Sequence, residues 1–129
     1  MLTSEQISNA RTICKYECPE EAYHEHDDCV RVAYEWLDAQ RTSTTPGKHE
    51  VELKRIIERW AGRYVSQADV ELAAHLHPRI SGSYPGFNLD DRLTLPCESR
   101  LRAISEAMTQ GYRKRHDPAI YAIREEIFT

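Results

Sequence analysis

The chain is short of several things that would decide its class at once. No stretch approaches the ~18 consecutive apolar residues that a helix needs to cross a bilayer, so no membrane segment is expected. The opening residues MLTSEQISNA carry neither a basic start nor an apolar core, and no secretory leader is expected either. Positive charge is not in excess: the formal balance is −4. That removes the general attraction on which nonspecific nucleic-acid binders rely. No strict polar–apolar alternation runs beyond about three residues, and no segment repeats. Also missing are a glycine-rich phosphate loop, a G-x-S-x-G elbow and an H-E-x-x-H pair. The four cysteines, without an export signal, read as reduced thiols of a cytosolic protein.

What remains is a polar chain with helical periodicity. At 129 residues it has the size of one domain, able to bury about two-thirds of its unfolded surface. Mean hydropathy is −0.66, but 40% of the residues are apolar and they recur periodically, which argues against disorder. The clearest stretch is Glu20–Arg41. There Ala22, His26, Cys29, Val30, Ala33, Trp36, Leu37 and Gln40 fall three and four apart on one face, opposite Glu21, Glu25, Asp28, Arg31, Glu35 and Asp38. Upstream, Thr3 to Gln6 spells a capping box. A first helix is expected from there to about Tyr16, with Ile7, Ala10, Ile13 and Cys14 inward. Cys18-Pro19 then makes a tight corner into the long helix.

Residues 42–48 read as a linker, opening with Thr42-Ser-Thr-Thr-Pro-Gly47. A third helix is expected over 49–64, and a fourth begins at a Ser66 cap with Asp69 at its third position and ends at Pro78. Residues 79–88 form a loop. A fifth helix is expected over about 96–110, and a last one opens at Asp117-Pro118 with Ala119, Ile123 and Ile127 aligned. The expectation is an all-α single domain of five to six helices, with an N-terminal hairpin (1–41) packed on a bundle (49–129). Its core should include Ile13, Val30, Ala33, Trp36, Leu37, Ile56, Ile57, Trp60, Leu101 and Ile104.

Three constellations suggest chemistry. Cys14 and Cys18 on the first helix, with His26 and Cys29 on the second, have the residue types of a Cys3His zinc site if an antiparallel pair brings them together. Glu17-x-x-Glu20 followed by Glu35-x-x-Asp38 is similar to the paired carboxylates of the all-α MazG-type nucleotide pyrophosphohydrolases. The resemblance implies Mg²⁺ held by these four residues, although Pro19 interrupts the first pair. His26-Asp27 is similar to the metal-binding dipeptide of HD-type phosphohydrolases, but the further upstream histidine of that site has no counterpart in residues 1–23. Third, residues 53–84 read as helix-turn-helix, with VSQADVELAAHL first and HPRISGSY second. Arg79, Ser81 and Ser83 would then face bases, and Arg113, Lys114 and Arg115 would contact phosphates.

Charge is also segregated. Glu17, Glu20, Glu21, Glu25, Asp27 and Asp28 gather near the first corner, and Arg92, Arg100, Arg102, Arg113, Lys114 and Arg115 gather late in the chain. A dipolar surface of this kind suits steered association with another protein. Residues 16–40, 64–78 and 84–96 together resemble a family of small accessory proteins of lambdoid phages and prophages. The resemblance covers most of the chain and implies a bacterial cytoplasm. Phage genes of this type often encode small proteins that bind and block a host or defence machine, and the analogy implies the same role here. The reading is therefore a non-enzymatic helical module without a cofactor, contacting a host protein through the acidic patch. Arg79, Arg102, Arg113, Lys114 and Arg115 are possible partner or nucleic-acid contacts. The alternatives are DNA binding and Mg²⁺-dependent nucleotide hydrolysis.

Overall fold

The computed structural model describes residues 1–45 and 52–126. Four α-helices carry the core: α1 (Ser4–Arg11), α2 (Asp27–Asp38), α3 (Leu53–Ala61) and α4 (Gln67–Leu76). The chain is thus mainly α, with one small strand pair. Two-residue strands β1 (Thr94–Leu95) and β2 (Ile123–Arg124) pair in parallel, with Thr94 opposite Ile123 and Leu95 opposite Arg124. Single 3₁₀ turns at Pro19–Glu21, Glu98–Leu101, Gly111–Arg115 and Pro118–Ile120 complete the regular elements among the described residues.

Local chemistry explains where the helices start. Thr3 accepts from the backbone N–H of Gln6 while the Gln6 side chain accepts from the N–H of Thr3, so both halves of the first capping box are made. Ser66 and Asp69 repeat the arrangement at α4. The opening of α2 departs from expectation. It starts at Asp27 rather than Glu20, because the His26 imidazole is its cap and accepts from the N–H of Asp28. Asp27 and Asp28 then sit in the first turn, where carboxylates complement the helix dipole. Pro19–Glu21 makes one 3₁₀ turn and no more.

The core is built around α4, whose residues Ala68 to Ala74 are all buried, and α2 packs chiefly on it. Trp36 and Trp60, both fully buried, are the largest side chains in the cluster. Of the expected core residues, Val30, Ala33, Trp36, Leu37, Ile56, Ile57, Trp60, Leu101 and Ile104 are buried. Ile13 is not: it is 68% exposed, because α1 stops at Arg11 and Thr12 caps it.

The expected fifth and sixth helices are replaced by turns held through tertiary bonds. The N–H groups of Met108 and Gln110 donate to the carbonyls of Ala61 and Gly62 at 2.7 and 2.9 Å, tying the segment to the end of α3. Gly62 closes that helix in the left-handed region, at φ +63°. Beyond Pro118, the N–H groups of Ala122 and Ile123 donate to Leu93 and that of Glu125 to Leu95, forming the strand pair in place of a helix. The start of the expected linker is also ordered by pairing: Thr42 bridges to Leu89, and Ser43 N–H donates to Asn88 at 2.8 Å. Residues 46–48 of that linker, the expected helix start at 49–51 and Ile127 lie outside the described residues.

Candidate functional site

Residues 12–26, expected as the end of one helix, a corner and the start of another, form an irregular loop laid across α4. Three anchors hold it. The Asp69 carboxylate, its side chain wholly buried, accepts from Ser66 N–H at 2.8 Å through one oxygen and from His24 Nδ1 at 2.7 Å through the other. The other His24 nitrogen meets the Tyr16 hydroxyl at 2.7 Å. With the Tyr16 proton donated to Nε2, Nδ1–H is left to donate to Asp69. Ser66 Oγ donates to the Tyr23 carbonyl. Farther along, Glu71 Oε1 accepts from the backbone N–H of Glu17 at 2.9 Å. α4 thus supplies acceptors and donors that the loop backbone and side chains satisfy, which is why the helical periodicity of residues 12–26 does not become helix.

The protonation states favour structure over nucleophilic chemistry. Burial, and then the neighbouring Cys14, push the Tyr16 phenol up to about 12. Burial and Glu71 raise the Cys14 thiol, and burial followed by Asp69 raises Cys29 to about 12. The reactive form of a cysteine is the thiolate, which burial disfavours here; the Tyr16 hydroxyl meets His24 and the Cys29 thiol donates to the Tyr64 carbonyl.

The outward side of the loop is apolar and acidic. Ile13 and Tyr23 stand 68% and 53% exposed, and Glu17, Cys18, Glu20 and Glu21 are exposed between them. Next to Ile13, a groove of about 410 Å³ runs between the end of α1, α4 and the loop at 80–87, floored by Ala74, Ile80 and Phe87. A smaller pocket of about 150 Å³, lined in part by Glu21, Tyr23 and Tyr64, opens on the other side. Glu71 borders both.

The acidic candidates divide sharply. Glu25 reaches Arg63 Nη1 at 2.6 Å, and that guanidinium, almost fully buried, also holds Glu106. Asp27 lies 3.6 Å from Arg11. Asp28 is buried, paired with Arg31 at 2.6 Å, and accepts from the N–H of Glu106. These three are paired with arginines within the fold. Glu17, Glu20 and Glu21 have no ion pair among the described residues.

The basic candidates divide similarly. Arg79 donates to the carboxylate and carbonyl of Asp38 at 3.0 and 3.1 Å. Arg113 donates to the Trp60 carbonyl at 2.7 Å and to Glu98. Arg102, Lys114 and Arg115 are exposed.

The metal and DNA expectations meet corrections. The zinc candidates are dispersed: His26 caps α2, Cys29 donates to the Tyr64 carbonyl, Cys14 borders the groove and Cys18 is exposed on the loop. No three His, Cys, Asp or Glu residues are grouped to hold a metal among the described residues. The zinc arrangement needed two facing α-helices, and 14–26 contains only one 3₁₀ turn. Glu35 and Asp38 are adjacent, but both are held by Arg100, at 3.1 and 2.9 Å. Glu17 and Glu20 lie on the loop instead of a facing helix. In the helix-turn-helix expectation, residues 77–84 contain no helix to read a groove: His77 caps the end of α4, and Gly82 lies at φ +95° with its would-be Cβ 3.0 Å from a backbone oxygen. Sequence reasoning gave no role to Tyr16, or to Arg63, His24 and Glu71, whose partners Glu25, Asp69 and Glu17 are far away in the chain. Asp69 it recognised only as a capping residue.

Comparison with protein-family models, with characterised proteins and with solved structures finds no match to this chain. No helix among the described residues is long and apolar enough to cross a membrane.

Proposed function

We propose that the protein is a non-enzymatic helical binding module that presents loop 12–26 to a partner protein with a basic, partly apolar surface. One observation carries this reading. A loop with one 3₁₀ turn as its only regular element is fixed in shape by the Tyr16–His24–Asp69 chain, while its outward residues are two large apolar side chains and three carboxylates without ion-pair partners among the described residues. Fixing the loop before contact removes much of the ordering entropy that binding otherwise costs. Exposed Ile13 and Tyr23 supply anchors of the kind that dominate interface energetics. The resemblance to phage and prophage accessory proteins adds that the partner is a host protein.

The test is capture of partners from bacterial lysate with immobilised protein, with and without nuclease, followed by kinetics on the purified pair. Reversing Glu20 and Glu21 to lysine should slow association by about tenfold at low salt, with a smaller effect on dissociation. Ile13→Asp should instead speed dissociation. If capture vanishes with nuclease, or if both variants bind like wild type, the loop is not the binding surface.

A further inference from the structure

A second surface, which the loop-based reading does not involve, has its own chemistry. Arg55, Glu58 and Arg59 of α3 and Gly111, Tyr112 and Arg115 of the following 3₁₀ segment line a pocket of about 370 Å³. Arg113 and the N–H groups of Met108 and Gln110 clamp that segment against the end of α3, so the pocket walls are fixed to each other. Glu58 is tied to Lys54 and Arg55 to Glu52 at 2.9 Å. Arg59 and Arg115 have no acceptor among the described residues, although Arg59 is partly buried.

Two of the cations on α3 are offset within the fold: Lys54 and Arg55 occupy its first turn, where Glu58 one turn on and Glu52 at the N-cap pair with them. Arg55 and Arg59 are four apart, the spacing at which like charges repel across a helix face. The dipole accounts for one cation in the last turn, Arg59, but not for Arg115 beside it. Tyr112 is 37% exposed, which leaves part of its ring open at the same pocket. Gly111 has no neighbour within 4 Å of a would-be Cβ, so packing within the protein does not require glycine there.

We infer that this pocket binds a nucleoside phosphate, with the phosphate oxygens on Arg59 and Arg115 and the base against the Tyr112 ring. Guanidinium groups match phosphate oxygens in charge and geometry, and stacking on an aromatic ring accepts any base. The shared chemistry fits a free nucleotide or the phosphate of a nucleic-acid strand.

The test is titration calorimetry of the full chain at low salt with inorganic pyrophosphate, ATP and a short oligothymidylate. ATP should bind more tightly than pyrophosphate. Arg59→Ala and Arg115→Ala should each weaken ATP binding about tenfold or more. Tyr112→Ala should weaken ATP but leave pyrophosphate unchanged. Tighter binding of the oligonucleotide than of ATP assigns the phosphate to a strand, and the opposite order to a free nucleotide. ATP should raise the melting temperature of wild type but not of Arg59→Ala. Failure of wild type to bind all three ligands, or undiminished ATP binding by both arginine variants, overturns the assignment.

Discussion

Asp69 is the side chain on which the shape of the loop depends, and its removal tests the structural premise directly. In Asp69→Ala, the buried His24 Nδ1–H and the Ser66 N–H both lose their acceptor. A buried donor left unsatisfied costs about 1–3 kcal/mol. The two together come to about 2–6 kcal/mol, against a total stability of about 5–15 kcal/mol for a domain of this class. The variant should therefore fold, with its loss concentrated in residues 12–26. Asp69→Asn should be milder, at about 1–2 kcal/mol. Its single carbonyl serves one donor, and His24 can shift tautomer so that Nδ1 accepts from the amide and Nε2–H donates to Tyr16.

Urea unfolding gives the magnitude, and trypsin cleavage at exposed Lys15 together with amide exchange over 12–26 gives the location. The expected order is wild type, then Asn, then Ala, with faster cleavage at Lys15 in the alanine variant before global unfolding. A loss under about 0.5 kcal/mol in Asp69→Ala, the range of an ordinary surface change, with unchanged cleavage at Lys15 would refute the claim that this hydrogen-bond chain holds the loop.

Two further outcomes follow from geometry alone. Gly62→Ala should destabilise by about 1–3 kcal/mol in urea unfolding, since its φ is +63° and the new methyl would lie 3.0 Å from both Cα and Sδ of Met108. For Asp38, burial pushes the carboxyl up, but hydrogen bonds and charge from His77 and Arg100 outweigh it and hold the group at about 2, below the usual 3.8. A depressed carboxylate contributes stability that is full above about pH 4 and disappears as pH falls toward about 2. With 36% of the side chain facing water, this should amount to roughly 1–2 kcal/mol, and the loss should be blunted in Arg100→Gln, as read by unfolding at a series of acid pH values.

The starts of α1 and α4 and most of the core face were legible because their signals are local. Thr3 with Gln6 and Ser66 with Asp69 sit three residues apart, and both capping boxes form. Trp36, Trp60, Ile56 and Leu37 fall on helical stripes and are buried. The loop at 12–26 was not legible, because its helical spacing continues through Ala22 and His26 while the bonds that override it come from Ser66, Asp69 and Glu71, more than 40 residues later. The strand pair was hidden for a similar reason. Two residues on each side are too few to show a period, and the partners are a parallel match between Thr94-Leu95 and Ile123-Arg124.

The same contrast sorts the charged residues. A cluster counted along the sequence mixes charges that the fold consumes with charges that it leaves over, and only long-range pairing separates them. Glu25, Asp27 and Asp28 are consumed by Arg63, Arg11 and Arg31, as Arg79 and Arg113 are by Asp38 and Glu98. Their mutation would disturb stability and binding together and report on neither cleanly. Glu17, Glu20 and Glu21 on the loop, and Arg59 and Arg115 at the far end of α3, lie outside that pairing. No residue lines both the loop pockets and the arginine pocket. Charge reversal at Glu20 and Glu21 should therefore leave ATP titration unchanged, and Arg115→Ala should leave capture of a protein partner unchanged. Loss of both activities from either change would mean that the two surfaces act as one.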